Sequence, residues 1–153
     1  YSLDNMEEHV NYLREDVGVR EAKLGQVLEK FPAVMGLALE NMAAHVDFLK
    51  NRLGVSEARL GQVVETLPHV LGSYSLDNME EHVNYLREDV GVREAKLGQV
   101  LEKFPAVMGL ALENMAAHVD FLKNRLGVSE ARLGQVVETL PHVLGSYSLD
   151  NME

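Results

Sequence analysis

The chain has no cysteine and no tryptophan, and only 6% of its residues are aromatic. Without cysteine there are neither disulfides nor thiolate metal sites. No uninterrupted apolar stretch approaches the ~20 residues that a membrane-spanning helix needs. No segment alternates apolar and polar residues with period two, so strands are not expected. Positive charge is also scarce: 14 Lys and Arg stand against 24 Asp and Glu, for a net charge of −10. That balance argues against indiscriminate nucleic-acid binding, because phosphate neutralisation supplies most of such affinity. An initiator Met and a targeting segment are both missing, so no localisation can be read.

What is present is repetition. Residues 1–73 recur as 74–146 without a substitution, and Tyr147 to Glu153 reopens the phrase. Natural repeats drift at exposed positions. Identity at sites such as Glu7/Glu80 and Asn51/Asn124 therefore points to a very recent duplication or a designed gene. An older repeat lies inside each copy: aligning Ser2–Leu37 with Ala38–Ser73 gives 18 identities in 36 positions. The expected division is residues 1–37, 38–73, 74–110 and 111–146, followed by a fragment at 147–153. One residue, Leu37, separates the first two units, whereas two, Ser73 and Tyr74, separate the next two. The added residue creates Gly72-Ser73 and Gly145-Ser146, a dipeptide typical of joined gene segments; a natural one-residue insertion is the alternative. A period of about 36 residues implies units that bury their apolar faces against one another.

Each unit reads as two helices and a proline turn. Ser2 is a suitable N-cap for a helix running to about Asp16, with Leu3, Met6, Val10 and Leu13 as its apolar stripe. Gly18 ends it, since glycine adopts the left-handed closing conformation readily. A second helix starts near Arg20, and behind the better cap Ser56 in the next unit. Its stripe is Leu24, Val27, Leu28 and Phe31, matched by Leu60, Val63, Val64 and Leu67. Pro32 and Pro68 stop it, and the residues after them suffice for one 3₁₀ turn. Phe31, Leu67, Phe104 and Leu140, each before its proline, are expected to be buried. The fold class is all-α, an α-solenoid of helix–helix–3₁₀ motifs with the hand of the superhelix left open.

The Leu53-Gly54-Val55-Ser56 hinge, the following Leu60-Gly61-Gln62-Val63-Val64 and the closing Leu67-Pro68-His69-Val70-Leu71-Gly72 resemble the mitochondrial transcription termination factor (mTERF) family. The resemblance covers essentially the whole chain. It implies a curved array that holds DNA or RNA on its concave side in organelles. The acidic total departs from that pattern, since nucleic-acid-binding members usually present a basic face.

Placing Leu24 at zero and advancing about 100° per residue puts Lys23, Gln26 and Lys30 on one flank. Glu21, Gly25 and Glu29 fall on the other. The next unit repeats this with Arg59, Gln62 and Thr66 against Glu57, Gly61 and Glu65. Stacked motifs would align Lys23, Gln26, Lys30, Arg59, Gln62, Lys96, Gln99, Lys103, Arg132 and Gln135 in a ribbon suited to phosphates and base edges. The same pattern also suits a solvated face that only tunes solubility.

His9 and His45 lie on one edge of the first-helix stripe without a recurrent carboxylate. Packing or a hydrogen-bonded helix contact is therefore expected, with no metal and no cofactor. The paired acids Glu7-Glu8 and Glu15-Asp16 point outward and are replaced in the alternate motif, so they do not form an acid/base pair. No nucleophile elbow, phosphate loop or zinc spacing occurs. The expectation is a non-catalytic protein. Neither end carries an atypical capping repeat. Head-to-tail self-association is thus an expected partner mode, and a ligand-free scaffold is the alternative to nucleic-acid binding.

Overall fold

The computed structural model describes residues 2–145, which form helices and turns with no strand among them. The chain divides into two compact units, Tyr1–Leu76 and Asp77–Glu153. In the first, α1 (Leu3–Asn11) runs on into a wide π turn over Tyr12–Val17, and a 3₁₀ turn at Glu21–Lys23 leads into α2 (Leu24–Lys30). A 3₁₀ turn at Pro32–Gly36 closes this pair. The pattern repeats with α3 (Leu39–Asp47), a π turn at Phe48–Arg52, α4 (Glu57–Thr66) and a 3₁₀ turn at Pro68–Leu71. The second unit holds α5 (Leu76–Asn84), α6 (Leu97–Lys103), α7 (Leu112–Asp120) and α8 (Glu130–Thr139) with the same intervening turns. Among the described residues no helix is long and apolar enough to cross a membrane.

Local chemistry accounts for the boundaries. The Ser2 hydroxyl accepts the Asn5 N–H at 3.0 Å and caps α1. Ser56 takes the extended N-cap backbone, yet its hydroxyl makes no capping bond to α4, so it caps less well than expected. The first helix also ends differently. Its last turn widens so that the Gly18 N–H reaches the Leu13 carbonyl at 3.0 Å and the Val19 N–H reaches the same oxygen at 2.8 Å. That closure needs a left-handed residue, and Gly18 (φ 96°) and Gly54 (φ 82°) supply it.

The first unit's core gathers Leu13 and Val27 with Met42, Leu49, Leu60 and Val64, each at most 2% exposed. Full burial of such a side chain is worth about 1.5–3 kcal/mol. Phe31 and Phe104 are buried as expected. Phe31 stacks on His69 with ring centres 4.7 Å apart, and Phe104 stacks on His142 at 4.5 Å. Leu67 is only half-buried and Leu140 is 40% exposed, against expectation. Leu140 borders a shallow groove with Arg132, Gln135, Val136, Thr139 and Val143, which leaves its side chain facing solvent.

The extra junction residue is absorbed locally. Ser73 and Tyr74 both donate their N–H groups to the His69 carbonyl, at 2.9 and 3.2 Å, making a slightly longer turn. The carbonyl just before the next helix keeps its role despite the insertion: Leu37 O faces His9 Nε2 at 2.7 Å, and Tyr74 O faces His45 Nε2 at 2.8 Å.

Candidate nucleic-acid interface

The ten ribbon residues sit on the second helix of each pair or on the turn before it. Gln26, Lys30, Arg59, Gln62, Gln99, Lys103, Arg132 and Gln135 are exposed, and Lys23 and Lys96 are half-buried. They are not equivalent. Lys30 Nζ donates to the Glu65 carbonyl at 2.9 Å and the Thr66 carbonyl at 3.3 Å, and Lys103 does the same to Glu138 and Thr139 at 2.9 and 3.4 Å. These are the last carbonyls of α4 and α8, which carry the negative end of the helix dipole and have no partner within the helix. Lys30 and Lys103 therefore close helix ends. Arg59 Nη1 donates to Gln62 Oε1 at 3.3 Å, along α4.

Beside Lys30 lies a carboxylate that sequence reasoning misplaced. Glu65 was expected on the solvated acidic flank, but it is 7% exposed. It accepts the Arg20 backbone N–H at 2.9 Å and Arg20 Nη2 at 2.8 Å. The second unit repeats this between Glu138 and Arg93, at 2.8 Å for both bonds. The Arg20 hydrogen bonds hold the Glu65 carboxyl below the usual carboxylate range despite its burial, and Lys23 adds its charge to the same effect. Arg93 and Lys96 do likewise for Glu138. Arg20 binds this buried carboxylate and Lys23 acts on it by charge, while Lys30 holds the Glu65 backbone carbonyl; the side chain of Arg20 remains 61% exposed.

The approach of backbone to backbone explains why Glu65 is enclosed. Segment 18–20 lies directly on α4 at Gly61, where a Cβ would fall 2.1 Å from the Gly18 carbonyl oxygen. The same holds for Gly134 against Gly91, at 2.0 Å. A glycine in a helix interior costs about 0.5–1 kcal/mol relative to alanine. Its presence in Leu-Gly-Gln-Val was therefore a readable sign of close approach. With the hinge seated on Gly61, Glu65 one turn later meets Arg20.

The remaining cations near the hinges are matched. Arg14 pairs with Glu21 at 3.2 Å, Lys50 with Glu57 at 2.9 Å, Arg87 with Glu94 at 2.6 Å and Lys123 with Glu130 at 2.9 Å. Each pair bridges the end of a first helix to the start of a second across solvent, where water screens most of the attraction. Among the described residues the ribbon cations make no such salt bridge, although Lys23 and Lys96 act by charge on Glu65 and Glu138.

The four first-helix histidines, His9, His45, His82 and His118, are buried. Nδ1 of each faces the carbonyl of the Asn four residues earlier at 2.9 Å. For His9, His45 and His82, Nε2 faces a junction carbonyl at 2.7–2.8 Å. A neutral imidazole can donate to one of two such oxygens, an imidazolium to both. Either way His9, His45 and His82 tie their helices to the turn that starts the next motif. Among the described residues no group of three or more His, Asp or Glu is arranged to hold a metal ion.

Comparison with known families gives one result: the mTERF model matches residues 1–123 and again 73–153. The two matches overlap and together span the chain. No curated protein matches it.

Proposed function

We propose that this chain, which belongs to the mTERF family, is a non-catalytic helical repeat protein that binds DNA or RNA through its second-helix flank. The family is one of nucleic-acid-binding repeats. The observation that carries the reading is the sorting of charge on this acidic protein. Cations near the hinges are cancelled by Glu21, Glu57, Glu94 and Glu130, whereas among the described residues Arg59 and Arg132 have no such carboxylate bridge, and Lys23 and Lys96 act on Glu65 and Glu138 through charge alone. Gln26, Gln62, Gln99 and Gln135 stand exposed beside them with amides suited to base edges or sugars. In the second unit Arg93 lines a pocket together with Gln135. The identity of the two 73-residue copies supports an array designed from mTERF-type motifs at residues 1–37, 38–73, 74–110 and 111–146.

Fluorescence anisotropy with labelled duplex DNA and single-stranded RNA at several salt concentrations tests the reading. Four cations outside the helix caps predict a log K against log salt slope of about −3 to −4 for duplex DNA. A lack of binding to either probe at low salt overturns it. A second reading is supported by apolar exposure: Leu3 is 80% exposed, Leu126 48% and Leu140 40%. In that reading the protein is a structural scaffold that self-associates head to tail and has no ligand.

A further inference from the structure

The contact at Gly61 has a receiving half elsewhere on the first unit that stands open. Gly25 occupies in α2 the position Gly61 occupies in α4, yet a Cβ there would meet nothing within 4 Å. Leu24 and Leu28 beside it are half-buried, while their equivalents Leu60 and Val64 are 2% and 0% exposed. Glu29, the equivalent of Glu65, is exposed. The inserting half is open on the second unit. Gly127 (φ 78°) adopts the left-handed hinge conformation of Gly18, with nothing within 4 Å of its Cβ position. Leu126 is 48% exposed and Val128 half-buried, while Val19 in the seated hinge is 3% exposed.

We propose that a second copy of this chain seats its hinge, Gly127-Val128-Ser129, on α2 at Gly25. This inference rests on the self-association reading and gives that contact a register. The occupant follows from the seated examples: Gly18 on Gly61 and Gly91 on Gly134 show which segment this surface accepts. In the docked pair the Gly127 backbone lies against Gly25, Leu126 and Val128 cover Leu24 and Leu28, and the Ser129 N–H donates to the Glu29 carboxylate. That last bond copies Arg20 N–H on Glu65 at 2.9 Å. The two halves differ and lie on different units, so the contact is heterologous and propagates from copy to copy instead of stopping at a dimer.

Sedimentation velocity over roughly 10 µM to 1 mM, where weak specific contacts populate, is the test. The parent chain should show a weight-average mass that climbs with concentration past the dimer. Gly25→Ala should stay monomeric, because its methyl group would strike the incoming hinge backbone, and Leu126→Asp should stay monomeric by spoiling the other half. Mixed together, the two variants each retain one intact half, so they should form one-to-one dimers that grow no further. A parent chain that stays monomeric overturns both this inference and the self-association reading. A parent chain that associates equally well as Gly25→Ala, or variants that fail to pair when mixed, overturns this register alone.

Discussion

Substituting alanine at two glycines in the same Leu-Gly-Gln-Val context should change stability in opposite directions. At Gly61 the new Cβ would lie 2.1 Å from the Gly18 oxygen and 2.6 Å from its carbon; at Gly134 the distances to Gly91 are 2.0 and 2.5 Å. Ordinary heavy-atom contact begins near about 3.5 Å, so the hinge must recoil by about 1 Å or more. Backbone cannot rotate away as a flexible side chain can. Overpacking of this kind costs about 1–3 kcal/mol. The recoil also stretches the Arg20 N–H bond to Glu65, now 2.9 Å, and hydrogen bonds to charged groups are worth about 1.5–3 kcal/mol. The helix recovers only about 0.5–1 kcal/mol from losing a glycine. The net expectation is a loss of about 2–4 kcal/mol per site. Gly25→Ala meets no neighbour within 4 Å and should keep the helix gain, about 0.5–1 kcal/mol. Urea unfolding followed by far-ultraviolet circular dichroism, on dilute protein, reads both. Gly61 and Gly134 are changed together so that both units respond alike. A double variant that unfolds at or above the parent midpoint would refute the close-approach argument.

Three further outcomes are expected. The Glu65 and Glu138 carboxyls lie below their usual range when folded, so their stabilisation is complete above the unfolded carboxylate value, about 4.3. It is lost as pH falls through the lower folded value; the urea midpoint should fall on acidification, and fall less in Glu65→Gln/Glu138→Gln. Phe104→Ala should cost about 3–5 kcal/mol, whereas Leu140→Ala, already 40% exposed, should cost less than about 1 kcal/mol, both read by thermal melting. His45→Phe removes the ring nitrogens facing Asn41 O and Tyr74 O and should destabilise the first unit by about 1–3 kcal/mol. Amide exchange in α3 should accelerate with it.

Local features were the most legible in the sequence. Ser2 as a cap, Gly18 and Gly54 as left-handed closures, and Pro32 and Pro68 as helix stops each act through their own backbone. They could be assigned from residue type and spacing. The histidines could be placed on the packed edge because no carboxylate recurs beside them. What escaped was non-local. Glu65 looks like a solvated acid on a helical wheel, since nothing near it in sequence shows that Arg20, 45 residues earlier, comes to rest against it. Its burial follows from a contact between two glycines, which helical periodicity does not encode. The placing of the ribbon residues on the second helices or the turns before them was legible. The ribbon's division into helix-capping lysines, Lys30 and Lys103, and the remaining cations was not, because that depends on where α4 and α8 end.

The central claim is that the second-helix flank is the nucleic-acid surface. It is tested most directly by reversing its charge while sparing the helix caps. Lys23, Arg59, Lys96 and Arg132 are changed to Glu together, and duplex DNA and single-stranded RNA are titrated at low salt beside a control with Arg14, Lys50, Arg87 and Lys123 changed to Glu. The first variant should keep its helicity and lose binding to both probes, and the control should bind more strongly than it does. Equal loss in the two variants, or loss in the control alone, would place the surface elsewhere and contradict the account.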